Sequence, residues 1–197
     1  MHNFLRTRRS IRRFTSGTID RDVLNRIIET ATYAPSAHNR QPWRFAVLTH
    51  PEAKFRLSEL LSKDFRTDLA VDGMSETEIK YRINRSKSRI NESPVVIILC
   101  MDLSEMDVYP DAKRTTAERT MAIQSVAAAG LLLQLAAHAE GLGSVWTCAP
   151  LFSPNTVISA LELPASWEPM AMFFLGYSTQ VPKEKPMKAP YDVVKFL

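Results

Sequence analysis

Apolar and polar positions along the chain repeat with helical spacing in some segments and with the spacing of buried strands in others. The first strong helical pattern places Val23, Ile27 and Ala31 on one face. Asp20 can accept hydrogen bonds from the first turn of this helix, and Pro35 marks its end. The pattern therefore predicts a helix that leads into a polar, proline-containing loop.

Two further helices are indicated by residues that favour helix starts. Pro51 favours the first turn of a helix over 51–63. The core candidates of that helix are Phe55, Leu57, Leu60 and Leu61. Ser75 and Glu78 form a capping box, which predicts a basic helix that ends at Pro94.

Four apolar segments are predicted as strands. The segment "VVIILCM" at 95–101 is apolar at every position, which is typical of a strand covered on both faces. The other three lie at 44–49, 144–147 and 170–177. A helix capped by Ser153 is predicted between the last two strands.

The longest helical pattern runs from 114 to 140 and is apolar almost all round from Met121 onward. We expect it to be central and buried, with Gly141 as its stop, and burying both of its sides favours a second subunit. Polar side chains interrupt it and make it a poor membrane span: Gln124, Ser125, Gln134 and His138. The alternation of elements predicts a central mixed β-sheet flanked by helices.

Composition limits the number of domains and the kinds of ligand to be expected. A chain of 197 residues with 45% hydrophobic and 23% charged residues fits one domain spanning 1–197. The formal charge of +4 allows an anionic ligand but is too small for a dedicated nucleic-acid binder. The two cysteines, Cys100 and Cys148, suggest neither a disulfide scaffold nor a zinc site, and we expect no other metal site. With no signal-peptide pattern at the amino terminus, we predict a cytoplasmic protein with no membrane contact.

A basic cluster near the amino terminus is the first candidate for ligand binding. Arg8, Arg9, Ser10 and Arg12 provide guanidinium groups and a hydroxyl in one short stretch, which suits a phosphate. The alternative is a solvated basic terminus, which is the commoner fate of short arginine runs.

The loop "APSAHNRQPWRF" at 34–45 is the second candidate. Asn39 and Gln41 offer donors and acceptors that match the edge of a pyrimidine-like ring, while Pro35, Pro42 and Trp43 supply stiffness and apolar surface. The alternative is an ordinary turn with the tryptophan in the core.

The predicted basic helix is the third candidate for ligand binding. Arg82, Arg85 and Arg89 lie on one helix face and could meet an acidic substrate or the phosphate of NADPH. A solvated or salt-bridged surface is the alternative.

Four motifs together resemble the FMN-dependent nitroreductase family. They are "RRSIRRF", "APSAHNRQPWRF", "AAHAEGLGSVW" and "FFLGY", in the order and spacing of that family over nearly the whole chain. The second half also resembles the nitroreductase-type carboxy-terminal domain of the bifunctional enzymes of deazaflavin-coenzyme (coenzyme F420) biosynthesis. The resemblance implies an α+β, nitroreductase-like fold and an intertwined homodimer that interlocks through the long helix and builds two FMN sites from both chains.

The resemblance also assigns residues to the cofactor by motif position. The phosphate, the ribityl chain and one ring edge would be held by Arg8, Arg9, Ser10 and Arg12. The ring and ribityl region would be lined, from both subunits, by Pro35, Ser36, Asn39 and Gln41. The backbone near flavin N5 would come from Thr147, Cys148 and Ala149.

In the tail, the resemblance loosely aligns Lys185 and Lys188 with the family's second phosphate-binding basic pair. The family usually has arginine where Lys188 aligns, and lysine lacks its bidentate geometry. Cys148 stands where many relatives have a carboxylate, but its expected contact uses the backbone amide.

The activity implied is hydride transfer from NAD(P)H, by way of FMN, to a small electron-poor acceptor such as a nitroaromatic or a quinone. A ping-pong cycle suits this activity, with no side chain required as acid or base. Two alternatives stay open. One is an FMN-dependent reductase of a deazaflavin-coenzyme precursor, and the other is a non-catalytic protein that binds a flavin or a deazaflavin.

Overall fold

The structure is a computed structural model, and it describes residues 1–181 and 186–197. Its α-helices are α1 (His2–Thr7), α2 (Arg21–Thr32), α3 (Pro51–Val71), α4 (Glu76–Glu92), α5 (Ala112–Ala139) and α6 (Pro154–Leu161). Its strands are β1 (Trp43–Leu48), β2 (Val95–Asp102), β3 (Gly143–Thr147) and β4 (Trp167–Gly176). The α+β prediction is confirmed, and each predicted strand is present.

The four strands form one sheet in the order β1-β2-β4-β3. All three neighbouring pairs within this sheet are antiparallel, so the prediction of a mixed sheet was wrong for these strands. The sequence could not reveal this because apolar runs such as β2 are typical of buried strands in either orientation. Ser10, which belongs to no named strand, is paired in parallel with Ser144 of β3 through an isolated bridge.

The sheet separates two apolar cores. Alternate residues of β2 face opposite sides, so Ile97 and Leu99 pack in the core that contains α2 and α5, while Val96 and Ile98 pack in the core beneath α3 and α6. Every residue of β2 is buried, as the continuous apolar run predicts. The long helix α5 and the flanking loops therefore lie on one face of a fully covered sheet.

Two of the predicted helix starts use the capping side chains expected. The Asp20 carboxylate accepts a hydrogen bond from the Asp22 backbone at 2.9 Å, and the Ser75 hydroxyl accepts one from the Glu78 backbone at 3.3 Å. Ser153 precedes α6 but its side chain makes no capping hydrogen bond. Pro154 at the first position of α6 has no N–H, so one fewer first-turn donor needs a partner.

Helix α3 is longer than the sequence pattern indicates and continues to Val71. Leu57 and Leu61 are buried as predicted, but Phe55 is 58% exposed, so its assignment to the core was wrong. Lys54, rather than Phe55, is buried on the core-facing side of α3. Its ammonium group donates to the Ser93 carbonyl at 2.7 Å, where α4 meets β2.

Helix α5 is central but has an exposed face. Ala129 and Leu133 are fully buried, whereas Ile123 and Leu131 are 38% and 50% exposed. Gly141 follows the helix with a positive φ of 75°, which suits its predicted role as the stop. By length and composition α5 could cross a membrane, but half of its most apolar window is buried against protein.

Candidate functional site

The basic segment after α1 lies along the edge of the sheet. The Ile11 backbone N–H donates to the Ser144 carbonyl of β3 at 2.9 Å. A Cβ on Gly143 would lie 2.7 Å from Ile11, so this close approach requires glycine. Ile11 is buried, and the extended backbone therefore turns Ser10 and Arg12 to the opposite side.

A cavity of about 140 Å³ opens beside this segment. Arg8 and Arg9 line it together with His138 from the end of α5 and Ser178 from the tail. Arg8 is half-buried, and no hydrogen bond or ion pair of its side chain is found among residues 1–181 and 186–197. A positively charged group in this position suits an anion such as phosphate.

The side chain of the other arginine of the cavity, Arg9, is hydrogen-bonded within its own segment. The Arg9 guanidinium donates to the carbonyls of Arg6 and Arg8, where α1 ends. Sequence reasoning gave both arginines the same role, but hydrogen bonds to backbone carbonyls reduce what Arg9 can offer to a ligand.

His138 is a residue of this cavity that sequence reasoning left without a role. Its ring stacks on Phe4 with ring centroids 4.9 Å apart, and its Nε2 is hydrogen-bonded to Thr7 Oγ1 at 3.0 Å. These contacts join α1 to the end of α5. The motif "AAHAEGLGSVW" contains this histidine, but nothing in the sequence indicated that α1 would form and reach it.

The loop between α2 and β1 has an unusual backbone. His38, Asn39 and Gln41 have positive φ angles of 49°, 54° and 50°. Residues other than glycine are uncommon in this region, and such strain is typical of functional loops. The Gln41 side-chain amide donates to the Asn39 amide oxygen at 3.2 Å, and both side chains are exposed. The loop thus presents two joined amides to the outside.

The prolines and the tryptophan of this loop do not share one role. Pro42 and Trp43 are buried, and the Pro42 carbonyl accepts a hydrogen bond from the Asp102 backbone at 2.8 Å. The alternative of a core tryptophan is therefore confirmed. Pro35 is exposed beside Ser36, whose hydroxyl accepts a hydrogen bond from the Gln41 backbone at 3.1 Å.

The segment after β3 places Cys148 and Ala149 on the surface. The Cys148 sulfur accepts a hydrogen bond from the Trp146 ring N–H at 3.3 Å, and the Thr147 hydroxyl donates to the Met172 carbonyl at 3.1 Å. These bonds engage both side chains within the protein. The expected role of this segment, through its backbone, stays a prediction.

Helix α4 brings further positive charge to the amino-terminal segment. Arg82 is paired with Glu78 at 3.6 Å, which agrees with the salt-bridged alternative for that residue. Arg89 is half-buried, and its pKa is lowered by burial and then by the nearby charges of Arg85 and Arg12. Three guanidinium groups from two segments are thus close together.

The predicted tail pair lies only partly within the described chain. Lys188 is exposed, and Lys185 lies outside the described residues. In the described part of the chain, no group of three or more His, Cys, Asp or Glu side chains could hold a metal ion.

Within one chain, the loop and the cavity lie at different positions along α5. The Ala37 backbone N–H donates to the hydroxyl of Ser125, whereas the cavity contacts the helix at His138. At 1.5 Å per residue these two positions are roughly 20 Å apart along the helix axis. Within one chain, the loop and the cavity therefore contact well-separated parts of α5.

Comparisons with known proteins agree with the motifs. A model of the nitroreductase family matches residues 5–177. The chain is 30% identical to an NADH dehydrogenase from Thermus thermophilus, over 88% of this chain and 84% of the relative. It is 29% identical to a 5,6-dimethylbenzimidazole synthase from Rhodospirillum rubrum, over 86% of this chain and 78% of the relative.

The fold is shared with solved structures. A protein from Desulfovibrio desulfuricans, described as a nitroreductase and crystallised in complex with FMN, matches with a TM-score of 0.74. The two chains are 24% identical, and the match covers 100% of this chain and 96% of the other. The narrower resemblance to deazaflavin-coenzyme enzymes is not tested by these similarities and stays a prediction. The family model spans most of the chain, and the chain therefore belongs to the nitroreductase family of oxidoreductases.

Proposed function

We propose that the protein is an FMN-dependent oxidoreductase that passes hydride from NAD(P)H to an electron-poor small molecule, such as a nitroaromatic or a quinone. Family membership and the FMN-bound structural neighbour support a flavin cofactor. The observation that carries the proposal is the strained loop that holds the Asn39 and Gln41 amides together and exposed. A ring edge with both donors and acceptors, as in a flavin, is the ligand that such a pair matches.

The residues at the cavity fit the phosphate of FMN. Arg8 offers a charged donor without a competing partner in the described chain, whereas Ser10, two residues further along, does not line the cavity. The cavity also borders on Ser178, from which the tail continues toward Lys188. Arg9 would contribute mainly by fixing the carbonyls at the end of α1.

The chemistry supplied by bound FMN is hydride transfer in two half-reactions, from NAD(P)H first and then to an acceptor in a ping-pong cycle. The chain would orient the ring and set its electrostatic environment. Arg12, with Arg85 and Arg89 nearby, would stabilise negative charge at one ring edge. The backbone of Cys148 and Ala149 would provide the amide contact near N5.

We further propose that each site is built from two chains of a homodimer. The separation of roughly 20 Å along α5 leaves the loop of one protomer free to meet the cavity of its partner. Helix α5 also has an exposed apolar face with Ile123, Ala127 and Leu131 at four-residue spacing. Pairing such faces would bury this apolar surface and bring the two loops across the interface.

The test is the colour of the purified protein. A yellow sample that retains FMN through gel filtration and is bleached anaerobically by NADH or NADPH supports the proposal. A panel of quinone, nitroaromatic and deazaflavin acceptors then identifies the class that restores the colour. A colourless protein that does not bind added FMN would overturn the proposal, and a yellow one that neither nucleotide bleaches would indicate a carrier.

A further inference from the structure

The strained loop raises the question of what holds it in place. Three residues with positive φ lie within four positions, at His38, Asn39 and Gln41. Such conformations persist only where the surrounding structure fixes them. The Ser36 hydroxyl closes the loop internally by accepting a hydrogen bond from the Gln41 backbone. Contacts with α5 hold the closed loop to the rest of the protein at two points.

The first attachment is the hydroxyl of Ser125. This side chain is buried, with 5% of the residue exposed. Its Oγ donates to the Met121 carbonyl at 2.7 Å and accepts from the Ala37 backbone N–H at 3.2 Å. Because the single hydroxyl proton is donated to the helix carbonyl, the oxygen is oriented to accept a hydrogen bond from the loop. This bond fixes the residue that comes directly before the three with positive φ.

The second attachment starts at Glu118, two turns earlier on the same face of α5. This residue is 3% exposed, and its Oε1 accepts a hydrogen bond from the Asp107 backbone at 3.2 Å. The Asp107 carboxylate in turn pairs with Arg40 of the loop. The other carboxylate oxygen, Oε2, is buried and has no hydrogen-bond partner within the described chain.

We propose that Ser125 and Glu118 are positioning residues that hold the loop in the conformation that presents Asn39 and Gln41 to the flavin. Neither touches the ligand, and each acts through the loop. The inference rests on the proposed function, because the loop conformation is useful only where a ring edge meets the two amides. A loop already held in its bound conformation loses less entropy when the ligand binds.

The experiment is a double-mutant cycle on FMN affinity, measured by quenching of FMN fluorescence on the purified protein. Ser125→Ala is expected to raise the dissociation constant about fivefold, as for the loss of one neutral hydrogen bond. In an Asn39→Ala background the same change is expected to have a smaller effect, because one of the two amides that the loop presents is gone. Ser125→Thr keeps the hydroxyl and is expected to restore most of the affinity.

Two further variants keep the test decisive. Arg40→Ala breaks the link to Asp107 at an exposed position, so folding is expected to be unaffected, and it should weaken FMN binding about threefold with the same dependence on Asn39. Ser159→Ala, at an exposed position of α6, is the matched control and should leave FMN affinity unchanged.

The inference would be overturned if neither Ser125→Ala nor Arg40→Ala weakened FMN binding, or if each weakened it as much in the Asn39→Ala background as in the wild type. The flavin proposal would stand in either case. Failure of the wild-type protein to bind FMN would overturn both.

Discussion

At the scale of single residues, Arg8 is the side chain on which the phosphate assignment depends most. It is half-buried at the cavity, without a partner in the described chain. If Arg8 binds the phosphate as proposed, replacing it with alanine removes one charge-assisted hydrogen bond, which is worth about 1.5–3 kcal/mol. We expect Arg8→Ala to weaken FMN binding roughly 10- to 100-fold, measured by fluorescence titration.

The control for this prediction is Arg21→Ala, which removes the same charge from an exposed position at the start of α2. We expect wild-type affinity for that variant. Equal losses in the two variants would indicate a general effect of net charge rather than a phosphate contact.

Asp102 gives the protein a predictable response to acid. Burial raises its pKa, but hydrogen bonds from Ser104, the charge of Arg44 and a hydrogen bond from Ser166 outweigh burial and leave the pKa below its usual value. A carboxyl with a lowered pKa stabilises the fold above its unfolded-state pKa of about 3.9 and loses that contribution as the pH falls through the folded-state value. Protonation therefore favours unfolding.

We expect the free energy of unfolding, measured in urea between about pH 6 and pH 3, to fall on the acid side of this range. Asp102→Asn should show a shallower acid slope than the wild type, because the titrating group is gone. Identical slopes in the two proteins would contradict the assignment to Asp102.

At the scale of elements, the sequence predicts what depends on local chemistry. Asp20 and Ser75 mark helix starts because a capping side chain acts within its own turn. Strand β2 could be located because an unbroken apolar run has few other uses. The orientation of neighbouring strands depends on connections far apart in the chain, and it was predicted wrongly.

The candidate site was less predictable for the same reason. The motifs drew attention to Asn39 and Gln41, but their positive φ angles and their attachment to Ser125 arise from contacts with α5, far along the chain. Trp43 was uncertain because an aromatic residue beside a loop can serve a ligand or the core equally well. His138 was missed because its partners lie in α1, which carries no apolar pattern.

The docking of the basic segment on β3 gives a prediction for two elements together. A methyl group on Gly143 would lie 2.7 Å from Ile11, so Gly143→Ala must push the segment away from the sheet. We expect a loss of about 1–3 kcal/mol in the free energy of unfolding, measured in urea, and weaker binding of FMN as well. Gly73→Ala is the control for FMN binding: its positive φ lowers stability, but a Cβ there meets no atom within 4 Å, so affinity should not change.

At the scale of the whole molecule, the arrangement along α5 decides how many chains each site needs. The loop is attached at Ser125 and the cavity lies at His138, and the two are roughly 20 Å apart. A site that uses both the Arg8 guanidinium and the Asn39 amide is therefore more easily made from one protomer and its partner. Mixed dimers can separate the two arrangements.

Chains carrying Arg8→Ala and chains carrying Asn39→Ala can be co-expressed with different affinity tags and purified as mixed dimers. If each site combines Arg8 of one chain with Asn39 of the other, the mixed dimer has one intact site and one doubly altered site. We expect one tightly bound FMN per mixed dimer, and less in either parent dimer, measured by absorbance after gel filtration. If both residues served the same chain's site, every site would carry one defect and binding would not be restored. A mixed dimer of Arg8→Ala and Ser10→Ala chains is the matched control, because both changes lie in the same segment and no intact site can form.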